Sequence, residues 1–344
     1  MARASDGKSS LSASRFSVLD GWRALSITLV LCAHLLPLGP KSWRLNETFA
    51  PMGMALFFTL SGFLITRLLL TSDVRSFLIR RFFRIVPLAW LTILIVLPFI
   101  HADAGTFAAH LFFYGNLPPF WLVNITAHLW SLCVEVQFYV GVAAIVALFG
   151  RRGLYLILPL SLAVTAARVV THTPISIVTW LRVDEIFAGC LVALAYMGHF
   201  GPLPTKVAQR LNVYWMIPLV ILCCHPAAGP LQYLRPYVTA AMVGVSLVNA
   251  PTLIRTISAH RITVWVAEIS YALYVIHGVL SNTWLGEGDR LIKYAKRPLL
   301  FALTFLLAHV STYFYERRWI NFAKQITAGH GPNPALPPSV VEQI

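Results

Sequence analysis

The chain has 344 residues, of which 58% are hydrophobic and only 12% are charged, and its mean hydropathy is +0.71. A soluble domain of this length carries roughly twice that share of charged residues, so the composition excludes a soluble enzyme and predicts an integral membrane protein. The formal net charge is +14. The basic residues lie mostly in loops between apolar segments, as the positive-inside rule describes, which argues against a nucleic-acid-binding protein.

The apolar segments predict an all-α, polytopic integral membrane protein with about ten transmembrane helices. The predicted spans are residues 17–38, 49–70, 80–100, 129–149, 154–171, 180–198, 211–225, 233–249, 263–284 and 298–316. They form one membrane domain over 17–316, with tails at 1–16 and 317–344, the second of them partly disordered. The segment 104–120 is short and contains Pro, Gly and Asn, so we expect it to be re-entrant or interfacial.

The orientation follows from the distribution of Lys and Arg. These residues are more frequent in the loops that share a side with the two termini, so both termini are predicted to be cytoplasmic. The loop 285–297 argues weakly against this orientation, because it places four basic residues outside. The five cysteines show neither metal spacing nor a disulfide framework, so we expect buried thiols and no bound metal.

The first span carries two polar residues that a lipid interior disfavours, Arg23 and His34. They are eleven residues apart, which is close to three helical turns, so both lie on one face and ~16 Å apart along the axis. An intramembrane Arg or His marks a functional site by default. The alternative is an Arg that snorkels to the surface and a His that only packs. We expect the two side chains to border one tunnel.

The second and third spans carry two further motifs. Ser61-Gly62 is a small-residue notch that lets either a thin ligand or another helix approach closely, and the sequence does not separate the two. Arg80, Arg81 and Arg84 cluster at the mouth of the third span. Three such guanidinium groups suit bidentate capture of phosphates, and a topological anchor is the alternative.

The fourth span begins with three polar residues on one face, His128, Glu135 and Tyr139. Glu135 is predicted to lie ~10 Å below the outer surface. A buried carboxylate is costly and needs a partner, which is either a catalytic group or an Arg on a neighbouring helix.

The sixth span adds a polar pair and the ninth span adds a set of three polar residues. Arg182 and Glu185 are one turn apart where the sixth span begins, so they either contact a polar substrate or pair with each other. Ser270, Tyr274 and His277 share one face of the ninth span. His277 is predicted to lie at the depth of His34, because both spans run outward.

These placements predict two polar layers. The inner layer comprises Arg23, Arg80, Arg81 and Arg84. The outer layer comprises His34, Glu135, Arg182, Glu185 and His277. A ligand with a phosphorylated head and a reactive end ~15–20 Å deeper fits both layers, and acyl-coenzyme A (acyl-CoA) has that shape.

The chain resembles the acyltransferase 3 family of bacterial membrane O-acyltransferases over nearly all of its ten predicted spans. The motifs that carry the resemblance are Leu-Asp-Gly-Trp-Arg at 19–23 with His34, Phe-Phe-Thr-Leu-Ser-Gly-Phe-Leu at 57–64, Arg-Arg-Phe-Phe-Arg-Ile-Val-Pro at 80–87, Trp-Ser-Leu at 130–132 with Glu135 and Gln-Phe-Tyr at 137–139, and Ser-Tyr at 270–271 with Tyr274 and His277. Each motif is weak alone, and their order makes them specific.

The resemblance implies a bacterial inner-membrane enzyme in which Arg23 and His34 are essential and His34 lies at the acyl-transfer centre. It also implies that acyl-CoA enters from the cytoplasm and meets arginine side chains. The chain departs from the family at two places. It has Ala55-Leu56 where the family often has an Asp before the Phe-Phe run, and Val136 where a second Glu is common.

The predicted reaction is transfer of an acyl group, expected to be acetyl, from acyl-CoA to a hydroxyl of a saccharide or glycolipid such as O-antigen or exopolysaccharide. His34 is the predicted general base, with direct transfer and a transient acyl-His34 both open, and Glu135 either orients the imidazole or holds the acceptor. The donor site is predicted at Arg23, Ser61, Arg80, Arg81 and Arg84. The acceptor site is predicted at Tyr139, Arg182, Glu185, Tyr274 and His277.

Two other functions fit the same pattern. A glycolipid transporter or flippase also needs intramembrane polar groups and a basic inner mouth. An enzyme that acylates a small hydroxylated antibiotic keeps the chemistry and changes the acceptor. We expect acyl-CoA to be a co-substrate rather than a permanently bound cofactor, and the other partners to be the acceptor and the lipid bilayer.

Overall fold

The computed structural model describes residues 4–328, with side chains for residues 17–328. Most of the predicted C-terminal tail, 329–344, lies outside the described residues, as do residues 1–3. The described part is helical and contains no strand. The α-helices are α1 (Ala4–Leu35), α2 (Leu45–Thr71), α3 (Val74–Phe99), α4 (Ala104–Leu111), α5 (Trp130–Phe149), α6 (Ile157–Val170), α7 (Asp184–Tyr196), α8 (Leu203–Arg210), α9 (Val213–Cys224), α10 (Arg235–Asn249), α11 (Thr252–Ala259), α12 (Arg261–Glu268), α13 (Ser270–Ser281), α14 (Arg290–Ala295), α15 (Arg297–Val310) and α16 (Arg317–Thr327). A π-helical turn, Ser311–Glu316, joins α15 to α16.

Six helical segments in this part of the chain are long and apolar enough to cross a membrane. They are Ser17–Leu35, Leu45–Thr71, Val74–Phe99, Asn124–Phe149, Arg151–Val170 and Arg297–Thr327. Three bent pairs of helices raise the number to as many as nine. The predicted count of ten is not confirmed, because the segment 180–198 contains α7, a helix of 13 residues. Such a helix is ~20 Å long, whereas a bilayer core is about 30 Å thick.

Two of the three bent pairs have clear local causes. Helices α8 and α9 meet at 95°, where Asn212 leaves helical geometry and its side chain accepts a hydrogen bond from the amide of Tyr214 at 2.9 Å. Helices α10 and α11 meet at 94°, at Ala250 and Pro251. The residue before a proline is driven to extended geometry, which Ala250 adopts. Helices α12 and α13 meet at 65° around Ile269.

The segment 104–120 forms the 8-residue helix α4, followed by irregular backbone. Asp103 caps this helix by accepting a hydrogen bond from the amide of Thr106 at 2.9 Å. The irregular part is attached to the bundle through Asn116, whose Nδ2 donates to the carbonyl of Ile177 at 2.8 Å. The segment therefore packs against the bundle as a short helix and loop.

The close packing of α2 against α7 fixes the position of the Ser61-Gly62 motif. A Cβ atom at Gly62 would lie 2.0 Å from the carbonyl oxygen of Ile186, and one at Gly189 would lie 2.0 Å from that of Thr59. The predicted notch is therefore filled by the backbone of α7, so Gly62 serves helix packing. The hydroxyl of the neighbouring Ser61 forms a hydrogen bond to α5 instead.

Candidate active site

A narrow cavity of about 90 Å³ lies between α1, α2, α3, α5 and α13. One face of α1 contributes Arg23, Ile27 and Val30 to its wall, at the helical spacing that the sequence predicts. The opposite wall includes Met54 and Phe57 of α2. The other polar residues of the lining are Ser26, Ser61, Arg81, Arg84, Glu135, Tyr139, Ser270, Tyr271 and Tyr274. A slim, partly polar chain suits such a lining.

A larger cavity of about 350 Å³, here called the basic vestibule, adjoins the narrow cavity at the end that carries Arg23. The two cavities share Arg23, Leu64, Arg81 and Arg84. The vestibule has five basic lining residues, Arg23, Arg81, Arg84, Arg317 and Lys324, against two acidic ones, Asp20 and Glu268. Arg23 is partly neutralised by Asp20, since their Nη1 and Oδ1 atoms are 3.4 Å apart. The excess of guanidinium groups makes this mouth suited to phosphates.

Arg80 differs from its two neighbours in the predicted arginine cluster. Its Nε donates to the hydroxyl of Thr327 at 3.0 Å, and it lines neither cavity. Around the axis of α3, Arg84 lies between Arg80 and Arg81, which point about 100° apart, and only the side that carries Arg81 faces the two cavities. Of the three arginines predicted to bind the donor, Arg81 and Arg84 line the two cavities and Arg80 does not.

Glu135 lies in the narrow cavity at the Arg23 end and is not the partner of His34. Its Oε1 accepts hydrogen bonds from the hydroxyl of Ser61, at 2.6 Å, and from the hydroxyl of Tyr139. The prediction of Glu135 in the outer layer is wrong. His128, seven residues earlier, already contacts His277, so Glu135 lies ~10 Å from the imidazoles toward Arg23.

His34 pairs with His277 at the other end of the site. Nδ1 of His34 is 3.1 Å from Nε2 of His277, and the two ring planes differ by 13°. His34 is exposed, whereas His277 is buried. The ring of His128 packs edge-on against His277, with the ring centres 5.3 Å apart. The predicted equal depth of His34 and His277 is confirmed by this pair.

The narrow cavity ends one turn before His34. Its lining reaches Val30 and Tyr274 but does not include His34, so the predicted single tunnel is interrupted. The rings of Phe57 and Tyr274 lie at this end of the cavity and stack on each other, with the ring centres 6.2 Å apart. Tyr274 also contacts His277, with the ring centres 5.6 Å apart. Its hydroxyl accepts from Ser131 at 2.6 Å and donates to the carbonyl of His128, so its position is fixed.

Arg182 and Glu185 lie in a buried charge cluster away from the narrow cavity and the vestibule. Arg182 is 3.2 Å from Glu185, and Nε of Arg235 donates to Glu185 at 2.8 Å. Arg168 pairs with Asp184 beside them. All five side chains are at most 2% exposed. The alternative that Arg182 and Glu185 pair with each other is therefore observed, and the cluster ties together α6, α7 and α10.

The sequence did not point to the C-terminal contribution to the vestibule. Arg317 and Lys324 read as topological charges, yet both line the vestibule beside Glu268. Arg317 is 3.6 Å from Glu268 and stands over the ring of Tyr313 at 3.8 Å. The helical spacing of 317 and 324, seven residues apart on one face, was the available signal.

No group of three His, Cys, Asp or Glu side chains within residues 17–328 is arranged to hold a metal ion. A model of the acyltransferase 3 family, described as an acyltransferase domain, matches residues 16–321. The chain belongs to this family. The match covers every residue that lines the narrow cavity, both histidines of the His34–His277 pair, and all of the vestibule lining except Lys324.

Two curated proteins are similar to this acyltransferase. The chain is 25% identical over 348 residues to the peptidoglycan O-acetyltransferase OatA of Listeria monocytogenes. It is 26% identical over 350 residues to the putative peptidoglycan O-acetyltransferase YrhL of Bacillus subtilis. Each alignment covers 87% of this chain and 54% of the relative, so the chain spans about half the length of both. No solved structure matches the chain.

Proposed function

We propose that this acyltransferase moves an acetyl group from acetyl-CoA, bound at the Arg23 end, to a hydroxyl of a saccharide at the His34 end. The observation that carries the proposal is the sequence of sites along α1. A basic vestibule leads into a narrow cavity, and that cavity ends one turn short of an exposed imidazole. The charged head, the slim arm and the reactive end of acetyl-CoA would occupy these sites in that order.

The donor site follows from the charges of the vestibule. CoA carries phosphate groups, and Arg81 and Arg84 lie where the vestibule passes into the narrow cavity. Planar guanidinium groups bind phosphate oxygens in a bidentate manner, so these two residues would hold the head at the mouth. Arg317 and Lys324 add charge on the far side of the vestibule.

The pantetheine arm would lie along α1. Its amide N–H groups need acceptors, which the carboxylate of Glu135 and the hydroxyls that surround it supply. This assigns Ser61, Glu135 and Tyr139 to the donor. The distance from Arg23 to His34 is ~16 Å along the helix, which an extended arm must cover.

The thioester must pass the Phe57–Tyr274 ring pair to reach His34. The Tyr274 hydroxyl is held by two hydrogen bonds, whereas the Phe57 side chain is held by packing alone. Rotation of the Phe57 side chain would therefore join the narrow cavity to the His34 imidazole at a lower free-energy cost than movement of Tyr274. Tyr274 is assigned to this boundary, between donor and acceptor.

His34 would act as the general base. It takes the proton of the acceptor hydroxyl while the hydroxyl oxygen attacks the thioester carbonyl, and the carbon–sulfur bond breaks to release the CoA thiolate. The imidazolium then returns the proton to that thiolate, so atoms and charge balance. A transient acyl-His34 divides the same transfer into two steps and uses the same side chain.

The acceptor class comes from the relatives, which are named peptidoglycan O-acetyltransferases. A peptidoglycan hydroxyl is therefore the first acceptor to test, ahead of O-antigen or exopolysaccharide. Because acetyl-CoA is a cytosolic metabolite and the vestibule end carries the N-terminus of α1, we place that end in the cytoplasm of a bacterium. The chain then lies in the inner membrane with both termini inside.

The proposal is tested by CoA release. The full chain in lipid bilayers is mixed with acetyl-CoA and soluble peptidoglycan fragments, free thiol is followed, and the fragments are analysed by mass spectrometry. We expect free CoA and one new acetyl ester in equal amounts. A flippase would release no CoA. An antibiotic acyltransferase would leave the fragments unchanged and acetylate a hydroxylated macrolide instead.

Replacement of Arg84 by alanine is expected to raise the KM for acetyl-CoA about 10- to 100-fold, because a charge-assisted hydrogen bond contributes about 1.5–3 kcal/mol. The kcat should change little, since Arg84 lies at the mouth. Steady-state kinetics of CoA release measures both constants. The matched control is Arg80→Ala, because Arg80 is four residues away and bonds Thr327 instead. Equal KM values for the two variants would contradict the assignment.

A further inference from the structure

We propose that His277 is a positioning residue that fixes the protonation pattern of the His34 ring. Its Nε2 accepts a hydrogen bond from Nδ1–H of His34, which keeps the lone pair of His34 on Nε2. This inference rests on the proposed function, in which His34 is the base. It replaces the expected role of His277 in contacting the acceptor.

The first step concerns the ring of His277. Its Nδ1 is 2.7 Å from the carbonyl oxygen of Tyr274 and 3.2 Å from that of Leu273. A carbonyl oxygen only accepts hydrogen bonds, so Nδ1 must carry the hydrogen. Both carbonyls belong to the preceding turn of α13, so the helix backbone itself sets this pattern.

The second step passes the pattern to His34. A neutral imidazole with hydrogen on Nδ1 has an acceptor at Nε2, and Nε2 of His277 is 3.1 Å from Nδ1 of His34. The ring planes differ by 13° and the ring centres are 5.4 Å apart, which is the geometry of two rings joined edge to edge through their nitrogens. Nδ1 of His34 is therefore the donor, and Nε2 of neutral His34 is left without hydrogen.

The third step is the rigidity of His277. The side chain is 1% exposed and lies between the rings of Tyr274 and His128. His128 is held in turn, because its Nε2 lies 3.0 Å from the carbonyl of Val275. A Cβ atom at position 278 would lie 2.1 Å from Nδ1 of His128, so only Gly278 lets that ring pack here. The ring of His277 is thus packed on two sides and cannot flip freely.

The consequence is chemical. A general base must offer a lone pair to the acceptor hydroxyl, and a nucleophilic imidazole must offer the same lone pair to the thioester. With the opposite tautomer, Nε2 of His34 would carry hydrogen and could do neither. His277 therefore supports both forms of the transfer, because it orients the neighbouring ring and sets which of its nitrogens carries hydrogen.

The kinetic test compares two replacements of His277. His277→Leu removes the acceptor and keeps an apolar side chain, so we expect kcat to fall about 100-fold with the KM for acetyl-CoA nearly unchanged. His277→Gln retains an acceptor oxygen and is expected to recover most of that loss. A merely structural role would lower the amount of folded protein equally in both variants and leave the kcat of the folded fraction unchanged, and that result would overturn the inference.

The matched control is His110→Leu. His110 is also buried, and its Nδ1 also bonds a carbonyl of the preceding turn, that of Thr106 at 2.7 Å. It lines neither the narrow cavity nor the vestibule. We expect the kcat of this variant to match that of the unchanged protein once folded fraction is normalised.

A spectroscopic test is independent of activity. Nitrogen-15 NMR of labelled histidine distinguishes Nδ1–H from Nε2–H rings, and His34→Ala identifies the His34 signals among the 11 histidines. We expect the Nδ1–H form for His34 in the unchanged protein and a shift toward Nε2–H in His277→Leu. A dominant Nε2–H form in the unchanged protein would overturn the inference. Absence of CoA release with the Nδ1–H form present would instead reject the proposed function.

Discussion

Replacement of His34 by alanine is expected to lower the rate of acetyl transfer by about 10²- to 10⁴-fold, the contribution of a well-placed general base. His34 is exposed at the end of α1, so its loss leaves no buried group without a partner except Nε2 of His277. The fold should therefore persist. CoA release and ester formation with peptidoglycan fragments measure the effect.

The binding of donor provides an internal control for this variant. His34 does not line the narrow cavity, so the affinity for CoA should stay within about twofold of the unchanged protein when measured by calorimetry. His199→Ala serves as the external control, because the His199 side chain is exposed and hydrogen-bonds the Tyr155 hydroxyl, far from both cavities and from His34. Full transfer activity in His34→Ala would remove His34 from the chemistry.

Replacement of Glu185 by alanine is expected to destabilise the protein by about 3–5 kcal/mol, the cost of leaving a buried charge unpaired. The change strands the guanidinium groups of Arg182 and Arg235, both at most 2% exposed. We expect a lower thermal unfolding midpoint in detergent micelles and a reduced yield of folded protein. The folded fraction of the variant should bind its substrates with unchanged affinity.

The chain offers a matched control for this prediction in the pair Arg44–Glu47. It has the same spacing of three residues, but its two side chains are 45% and 56% exposed. Glu47→Ala should leave the unfolding midpoint unchanged, because exposed ion pairs contribute little. If Glu185→Ala folded normally and raised only the KM for the acceptor, the buried cluster would be an acceptor site instead.

The first span shows what the sequence could predict about the site. Residue spacing placed Arg23 and His34 on one face of α1 at a known separation, and the structure confirms that placement because a regular helix fixes both quantities. The sequence predicted that arginine side chains lie at the mouth of the third span, but it did not predict which of them line the cavities. Arg80 and Arg84 are one turn apart, so spacing alone did not show that Arg80 bonds Thr327 and lines neither cavity.

Residue spacing along the chain could not predict which side chains of different helices contact each other. Glu135 was assigned to the wrong layer because its depth was measured from one end of its helix, without the position of the neighbouring imidazoles. Arg235, which pairs with Glu185, is 50 residues away along the chain, so its role depends on tertiary packing.

The predicted number of spans was also inaccurate, because hydropathy carries only part of the information that decides where a helix crosses the membrane. Apolar windows reveal which segments are long, yet they do not reveal where a helix bends or stops short. Asn212, at the start of the predicted segment 211–225, and Pro251, just after the predicted segment 233–249, mark two of the bends, and local rules of helix capping and proline geometry indicate both. Helix α7 ends after 13 residues, although the predicted segment that contains it is apolar. Its close contact with α2 at Gly62 and Gly189 holds it in place.

Transfer across a sealed bilayer is the most direct measurement of the proposed function. Vesicles that contain the full chain are prepared with acetyl-labelled acetyl-CoA on the Arg23 side and a membrane-impermeant peptidoglycan fragment on the His34 side. We expect labelled ester on the fragment with the unchanged protein, and ester formation slower by about 10²-fold or more with His34→Ala. Labelled ester that forms only when donor and acceptor share one side of the bilayer would contradict transfer along α1.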